Sequence, residues 1–69
     1  MPTHRYRITI GGGLGRLTCQ AFEDFKIEVN GVHTSLTADM DQAALYGALY
    51  RIQSFGLELV ELTRISAVS

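Results

Sequence analysis

Residues 25–37 read FKIEVNGVHTSLT and contain the strongest turn signal in the chain. Apolar and polar residues alternate on both sides of Asn30-Gly31, which is the pattern of two strands that each bury one face. Asn and Gly both tolerate positive φ, so this pair predicts a type I′ hairpin between strands at 25–29 and 32–38. The predicted register pairs, on the buried face, Val29 with Val32, Ile27 with Thr34 and Phe25 with Leu36, and on the other face Glu28 with His33 and Lys26 with Ser35.

One strand and one helix are predicted before the hairpin. Residues 5–10 alternate in polarity, which predicts a strand with Tyr6, Ile8 and Ile10 on its buried face. A glycine-rich turn follows at 11–15. Helical spacing then predicts a helix over roughly 14–23. Its apolar stripe comprises Leu14, Leu17, Thr18, Ala21 and Phe22, continuing to Phe25.

A second helix and a last strand are predicted after the hairpin. The helix spans 39–55, with Asp39 or Asp41 as its cap, and Asp39 with Gln42 resembles a capping box. Its apolar stripe comprises Leu45, Ala48, Leu49, Ile52 and Phe55, and Leu49 is expected to be largely buried. Gly56 ends the helix as the residue that takes the left-handed conformation. The last strand covers 57–65.

The element order is therefore β-α-β-β-α-β in a single domain over residues 1–69. Two right-handed β-α-β units of this kind form one four-stranded antiparallel sheet with both helices on one face. This is the ferredoxin-like α+β fold, for which we expect the strand order 4-1-3-2.

Composition limits the function classes. The chain has 69 residues, a net charge of −1 and one cysteine, Cys19, so neither an internal disulfide nor a cysteine-based zinc site is expected. The charge argues against nucleic-acid binding. No apolar stretch is long enough for a membrane span or a secretory signal, so a cytoplasmic location is expected. A chain this small often gains stability from a partner subunit.

The run from Asp41 to Ile52, continuing through Gly56-Leu57-Glu58-Leu59, resembles a set of small uncharacterised bacterial proteins. Those proteins share an Ile-x-Ile first strand, a Gly-x-Leu turn and an Ala-Phe pair that ends the first helix. At the level of the fold the pattern also resembles an ACT domain. That resemblance implies a dimer that binds small molecules, often amino acids, near the loop after the first strand.

The glycine-rich loop is the candidate ligand site. Main-chain N–H groups at a helix N-terminus bind anions, and an arginine in the first turn helps to hold a carboxylate or a phosphate. The predicted site comprises Gly11, Gly12, Gly13, Leu14, Gly15 and Arg16. The ligand would be a small anionic or amino-acid-like molecule. The alternative is a flexible turn with no ligand.

The candidate interface comprises Tyr46, Tyr50, Val60 and Leu62. Tyrosine is enriched at interfaces, although the two tyrosines would equally widen the contact of their helix with the core. In the last strand Leu57 and Leu59 share one face, while Val60 and Leu62 lie on the other. Either a bulge shifts the phase of this strand, or a partner covers its second face.

Other chemistry has weaker support. The open face of the predicted sheet carries polar side chains without the aromatic residues on which RNA bases stack. Glu28 beside His33 is either an acid–base pair or an ordinary surface pair. Cys19 is either a reactive thiol activated by Arg16 or an inert one. His4 and His33 have no partner at metal-ligand spacing, so neither a metal nor a cofactor is expected.

These observations favour a non-enzymatic homo-oligomer, most simply a homodimer, that binds a small ligand or another protein. Two alternatives stay open. One is a small enzyme whose active site is assembled between subunits, and the other is an accessory subunit of a larger enzyme. A buried ionisable group with a perturbed pKa in a cleft would favour the enzyme, whereas an exposed apolar patch and no cavity would favour the interaction module.

Overall fold

The computed structural model describes residues 2–67 of the chain. It is an α+β fold whose six elements follow the predicted order: β1 (His4–Gly11), α1 (Arg16–Ala21), β2 (Lys26–Asn30), β3 (His33–Met40), α2 (Gln42–Ser54) and β4 (Leu59–Ala67). No helix among these residues has the length and apolarity that crossing a membrane requires.

The four strands form one sheet in the order β2-β3-β1-β4, and every neighbouring pair is antiparallel. This is the predicted order 4-1-3-2 counted from the other edge. It places β1 and β3 at the centre and leaves β2 and β4 as the two edge strands.

The hairpin forms at the predicted place, but its predicted register is wrong by two residues. Asn30 lies opposite His33, so the loop consists of Gly31 and Val32. Gly31 has a φ of 61°, whereas neither Asn30 nor Val32 has a positive φ. A glycine at the first central position is typical of a type II′ turn, not of type I′. Because the register is shifted by two residues, an even number, the paired side chains of β2 and β3 keep their predicted faces.

The first helix is shorter than predicted, and its apolar stripe is partly wrong. It covers only Arg16–Ala21 and has no buried residue of its own. Leu17 is 75% exposed, while Phe22 and Phe25, which follow the helix, are buried. The helix ends because Phe22 takes non-helical angles, φ −120° and ψ 29°. Phe25 therefore reaches the core from the loop between α1 and β2, and not from another turn of the helix.

The second helix begins at Gln42, three residues later than predicted, and is capped by Asp41, one of the two predicted caps. Its Oδ1 accepts a hydrogen bond from the N–H of Ala44 at 2.8 Å. The alternative cap, Asp39, belongs to β3 and pairs with Arg5, so the predicted capping box is wrong.

The helix ends as predicted at Gly56, which has a φ of 70°. The N–H of Gly56 donates to the oxygen of Gln53, and the N–H of Leu57 donates to that of Ile52, both at 3.0 Å. These two hydrogen bonds form a Schellman motif.

The hydrophobic core lies on one face of the sheet, which we call the helix side; the other face is the open side. The buried apolar side chains are Ile8, Ile10, Phe22, Phe25, Leu36, Met40, Leu45, Ala48 and Ile52. Leu49 packs against this cluster but is only half-buried, and Phe55 is 46% exposed. Leu49, which is predicted to be largely buried, is thus partly buried, while Leu45, Ala48 and Ile52 are the residues of α2 inside the core.

Strand β4 contains one extra residue relative to β1 at two points. Leu59 lies opposite Ile10 and Leu62 lies opposite Ile8, so Val60 is the first extra residue. Ile65 is the second, between Arg64 and Ser66. Residues opposite each other in an antiparallel pair share a face, so Leu59 and Leu62 both lie on the helix side. Of the two explanations predicted for the apolar pattern of this strand, the bulge is confirmed, and it places Leu62 on the helix side instead of on the second face with Val60.

Candidate functional site

The two edges of the sheet differ in length and polarity. The β2 edge is five residues long and carries the charged pair Lys26 and Glu28, which discourages pairing with another strand. The β4 edge is nine residues long. Its apolar side chains Leu59, Val60, Leu62 and Ile65, which we call the β4 surface, are each 40–46% exposed. The β4 edge is therefore the more suitable one for contact with another chain.

The helical layer stops between β1 and β4. On β1, Ile8 and Ile10 are fully buried. Their cross-strand neighbours on the same side of the sheet, Leu62 and Leu59, are 40% and 46% exposed. The helices therefore bury the apolar side chains of β1 but not those of β4. Leu59 and Leu62 form an exposed apolar strip along this edge of the sheet.

The Tyr46–Tyr50 flank of α2 lies next to this strip. The two tyrosines are 59% and 70% exposed, so they do not widen the core contact. Tyr46 lines a cleft together with Arg64 of β4, so the Tyr46 end of this flank faces the edge strand. The structure thus brings the predicted interface residues of α2 and of β4 to the same side of the molecule.

Two clefts separate α2 from the edge strand. The first, the Arg64 cleft, has a volume of about 330 Å³, and its lining includes His4, Tyr6, Gln42, Leu45, Tyr46 and Arg64. The second, the Leu59 cleft, has a volume of about 440 Å³ and is lined by Leu49, Ile52, Gln53, Gly56, Leu57 and Leu59. The first combines polar and aromatic groups, and the second is mainly apolar.

The glycine-rich loop is held by hydrogen bonds to its own chain. The N–H of Gly11 donates to the oxygen of Glu58 at 2.9 Å, and the N–H of Gly12 donates to that of Val32 at 2.6 Å. The hydroxyl of Thr34 donates to the oxygen of Gly12 at 2.8 Å. Two N–H groups of the predicted ligand site are therefore already used. The helix that follows has only six residues, and Arg16 at its start is exposed.

The open side carries charges of both signs. Arg5 donates from Nε to Oδ1 of Asp39 at 2.8 Å and from Nη2 to Oδ2 at 3.4 Å. These hydrogen bonds, together with the attraction between the charges, lower the pKa of Asp39 and raise the pKa of Arg5. Both side chains are well exposed, so the pair is a surface feature.

The predicted Glu28–His33 pair does not form. Glu28 lies opposite Ser35 and is 3.8 Å from Lys26, while His33 lies opposite Asn30. The two groups belong to different cross-strand pairs because of the corrected hairpin register.

Cys19 is half-buried and its Sγ lies 3.9 Å from the oxygen of Leu14, so it contacts the start of its own helix. His4 packs edge-on against Tyr6, with ring centres 6.2 Å apart. Within the described part of the chain, no three His, Cys, Asp or Glu side chains form a group that could hold a metal ion.

Sequence reasoning missed Arg64 and His4 as members of a cleft. Arg64 follows Leu62 by two positions, so its face depends on the extra residue at Val60. His4 lies one residue before the predicted first strand and becomes its first residue. The alternation of the first strand, extended by one step, would have placed His4 beside Tyr6.

Comparison with known proteins identifies a family without assigning an activity. A family model described as Domain of unknown function (DUF8691) matches residues 5–63, a segment that begins in β1 and ends in β4. No curated protein and no solved structure matches the chain. Because the match covers most of the sequence, the chain belongs to this family of domains of unknown function.

Proposed function

We propose that the chain is a ferredoxin-like, ACT-like bacterial domain that acts in the cytoplasm as a non-enzymatic homodimeric interaction module. The element order β-α-β-β-α-β, the antiparallel strand order and the single core on one face support the fold assignment. A single free thiol, Cys19, is ordinary in the cytoplasm. The interface comprises the β4 surface and the Tyr46–Tyr50 flank.

The exposure of Leu62 carries this proposal. It stands on the same side of the sheet as Ile8 and directly beside it, yet Ile8 is fully buried and Leu62 is 40% exposed. The next pair on the same side of the sheet shows the same difference, because Ile10 is fully buried and Leu59 is 46% exposed. A second copy placed beside β4 would continue the sheet and extend the helical layer over this strip.

The geometry of β4 limits how two copies pair. An antiparallel pair of identical strands has a two-fold axis normal to the sheet, so residues opposite each other must share a face. The extra residues Val60 and Ile65 interrupt the regular pleat and leave 61–64 as the segment suited to pairing. Within it, an axis centred on Leu62 pairs 61–63 with their copies and places the Leu62 side chain against its own copy on the helix side.

Strand pairing over so short a segment does not bury enough area by itself. Stable dimers bury roughly 1,200–2,000 Å² in total. The Tyr46–Tyr50 flank supplies additional surface on the same side of the molecule, because it stands beside the Arg64 end of β4. Tyrosine buries a large area at a low cost in side-chain entropy, which suits it to this position.

The experiment is a measurement of molar mass by light scattering across a range of concentrations. A dimer has twice the chain mass of 7.6 kDa. Leu62→Asp is expected to shift the population towards the monomer, because the buried interface would contain an unpaired carboxylate. The matched control is Leu17→Asp, which adds the same charge at a 75% exposed leucine on α1, far from the edge strand in sequence.

A second variant separates loss of the dimer from unfolding of the chain. Tyr50→Ser changes a 70% exposed side chain and is expected to leave the monomer fold intact while weakening the dimer. A wild-type mass of one chain at every concentration would overturn the proposal. If Leu62→Asp and Leu17→Asp change the molar mass equally, the interface does not include β4.

A further inference from the structure

The Arg64 cleft lies within a single chain and has the size of a small-molecule site. Its volume is about 330 Å³, at the lower end of the roughly 300–1,000 Å³ that ligand cavities occupy. Residues of β1, α2 and β4 line it. A ligand in this cleft would therefore contact the central sheet, the long helix and the edge strand together.

The lining of the cleft includes a cation and no acidic group. Within residues 2–67 the ion pairs are Arg5–Asp39 and Lys26–Glu28, so Arg64 forms none with a described residue. No aspartate or glutamate is among the described residues that line the cleft. The local charge is therefore positive, which attracts an anion and repels a cation.

Two further polar groups line the same cleft. The hydroxyl of Tyr46 accepts a hydrogen bond from Nε2 of Gln42 at 3.0 Å, so its own proton stays available to an acceptor. Nδ1 of His4 is buried and has no hydrogen-bond partner in the part of the chain that the structure describes. Buried polar atoms normally have a partner, so the wall of this cleft holds one unsatisfied polar atom.

The rest of the lining includes aromatic rings and one aliphatic side chain, beside Pro2 and Gln42. The rings of His4 and Tyr6 meet edge-on at 88°. Leu45 and the ring of Tyr46 also line the cleft. We infer that the Arg64 cleft binds a small organic acid with a flat apolar body. Its carboxylate pairs with the planar guanidinium of Arg64, which matches the geometry of a carboxylate.

The test is a titration of the full chain followed by two-dimensional amide NMR, with benzoate as the probe. Saturable shifts are expected at residues of the cleft in β1, α2 and β4. Benzamide has the same ring without the charge, and acetate has the charge without the ring. Each is expected to bind at least tenfold more weakly than benzoate, which corresponds to about 1.4 kcal/mol.

Two arginine variants locate the site. Arg64→Gln is expected to weaken benzoate binding at least tenfold while leaving amide shifts outside the cleft unchanged. The matched control is Arg16→Gln, which removes the same charge from the glycine-rich loop. Tyr46→Phe removes only a hydroxyl, so it tests the cleft with little risk to the fold.

Three outcomes would overturn the inference: no saturable shift at millimolar benzoate, equal binding of benzamide, or a loss of binding in Arg16→Gln instead of Arg64→Gln. The last outcome would place the ligand at the glycine-rich loop. The cleft lies inside one chain, so a monomeric protein would overturn the proposed dimer and leave this inference standing.

Discussion

The guanidinium of Arg51 in α2 donates a hydrogen bond from Nη1 to the main-chain oxygen of Ala21, the last residue of α1, at 2.7 Å. Its carbon also lies 5.3 Å from the ring centre of Phe22 and 5.7 Å from that of Phe25. One side chain thus joins the two helices and covers two aromatic residues of the core. The first helix has no side-chain cap and no buried residue, so this contact helps to hold it on the fold.

Arg51→Ala is expected to lower the free energy of unfolding by about 1.5–3 kcal/mol, the usual contribution of a hydrogen bond to a charged group. Arg51→Lys is expected to restore only part of this, because an ammonium lacks the planar fork that stacks on the aromatic rings. Urea unfolding measures both. Arg16→Ala serves as the control, since Arg16 is exposed at the start of α1. An Arg51→Ala loss no larger than the control's would contradict the assigned role.

Ile52→Ala is expected to lower the free energy of unfolding by about 2–5 kcal/mol, because it leaves a cavity in the core. Leu49→Ala is expected to cost less, since Ile52 is 2% exposed whereas Leu49 is half-buried. Denaturant unfolding of the two variants checks the phase of α2. A larger loss for Leu49→Ala would show that the helix presents a different face to the sheet.

Gly31→Ala is expected to destabilise the chain by about 1–3 kcal/mol, because a side chain is strained at the positive φ of 61° that this turn position requires. Asn30→Ala is expected to have little effect, since Asn30 lies in β2 without a positive φ. Thermal unfolding compares the two. Equal losses would support the type I′ turn predicted by the Asn-Gly sequence and contradict the observed register.

Arg5→Gln is expected to raise the pKa of Asp39 towards its ordinary value near 3.9. In the folded chain the hydrogen bonds from Arg5 lower this pKa, so Asp39 contributes stability above about pH 4 that is lost as the pH falls through its folded-state pKa. Titration of the Asp39 carboxyl carbon by NMR gives both values. Identical titration curves in wild type and Arg5→Gln would show that the ion pair does not persist in solution.

Several parts of the candidate site could be predicted from the sequence, and others could not. Tyr46 and Tyr50, which are predicted as interface residues, are on an exposed flank of α2. The sequence left the face of Leu62 open between a bulge and a second covered face, because a bulge in β4 is defined only by its pairing with β1. The cleft around Arg64 depends on the same bulge. The glycine loop was expected to offer free N–H groups, two of which are used by partners distant in sequence.

Local sequence patterns predict the order and type of all six elements, the side-chain faces of β1, β2 and β3, and the end of α2. These features depend on local chemistry: the alternation around Ile8, the helical spacing from Leu45 to Ile52, and the positive φ of Gly56. Three features are evident only in the folded structure. They are the hairpin register, the choice of Asp41 over Asp39 as the cap of α2, and the exposure of β4 beside the helical layer. Each of these depends on contacts between distant residues, such as Arg5 with Asp39 and Leu62 with Ile8. The spacing of apolar residues along the chain does not reveal such contacts. It indicates the face on which a side chain lies, but not which distant residue lies opposite it.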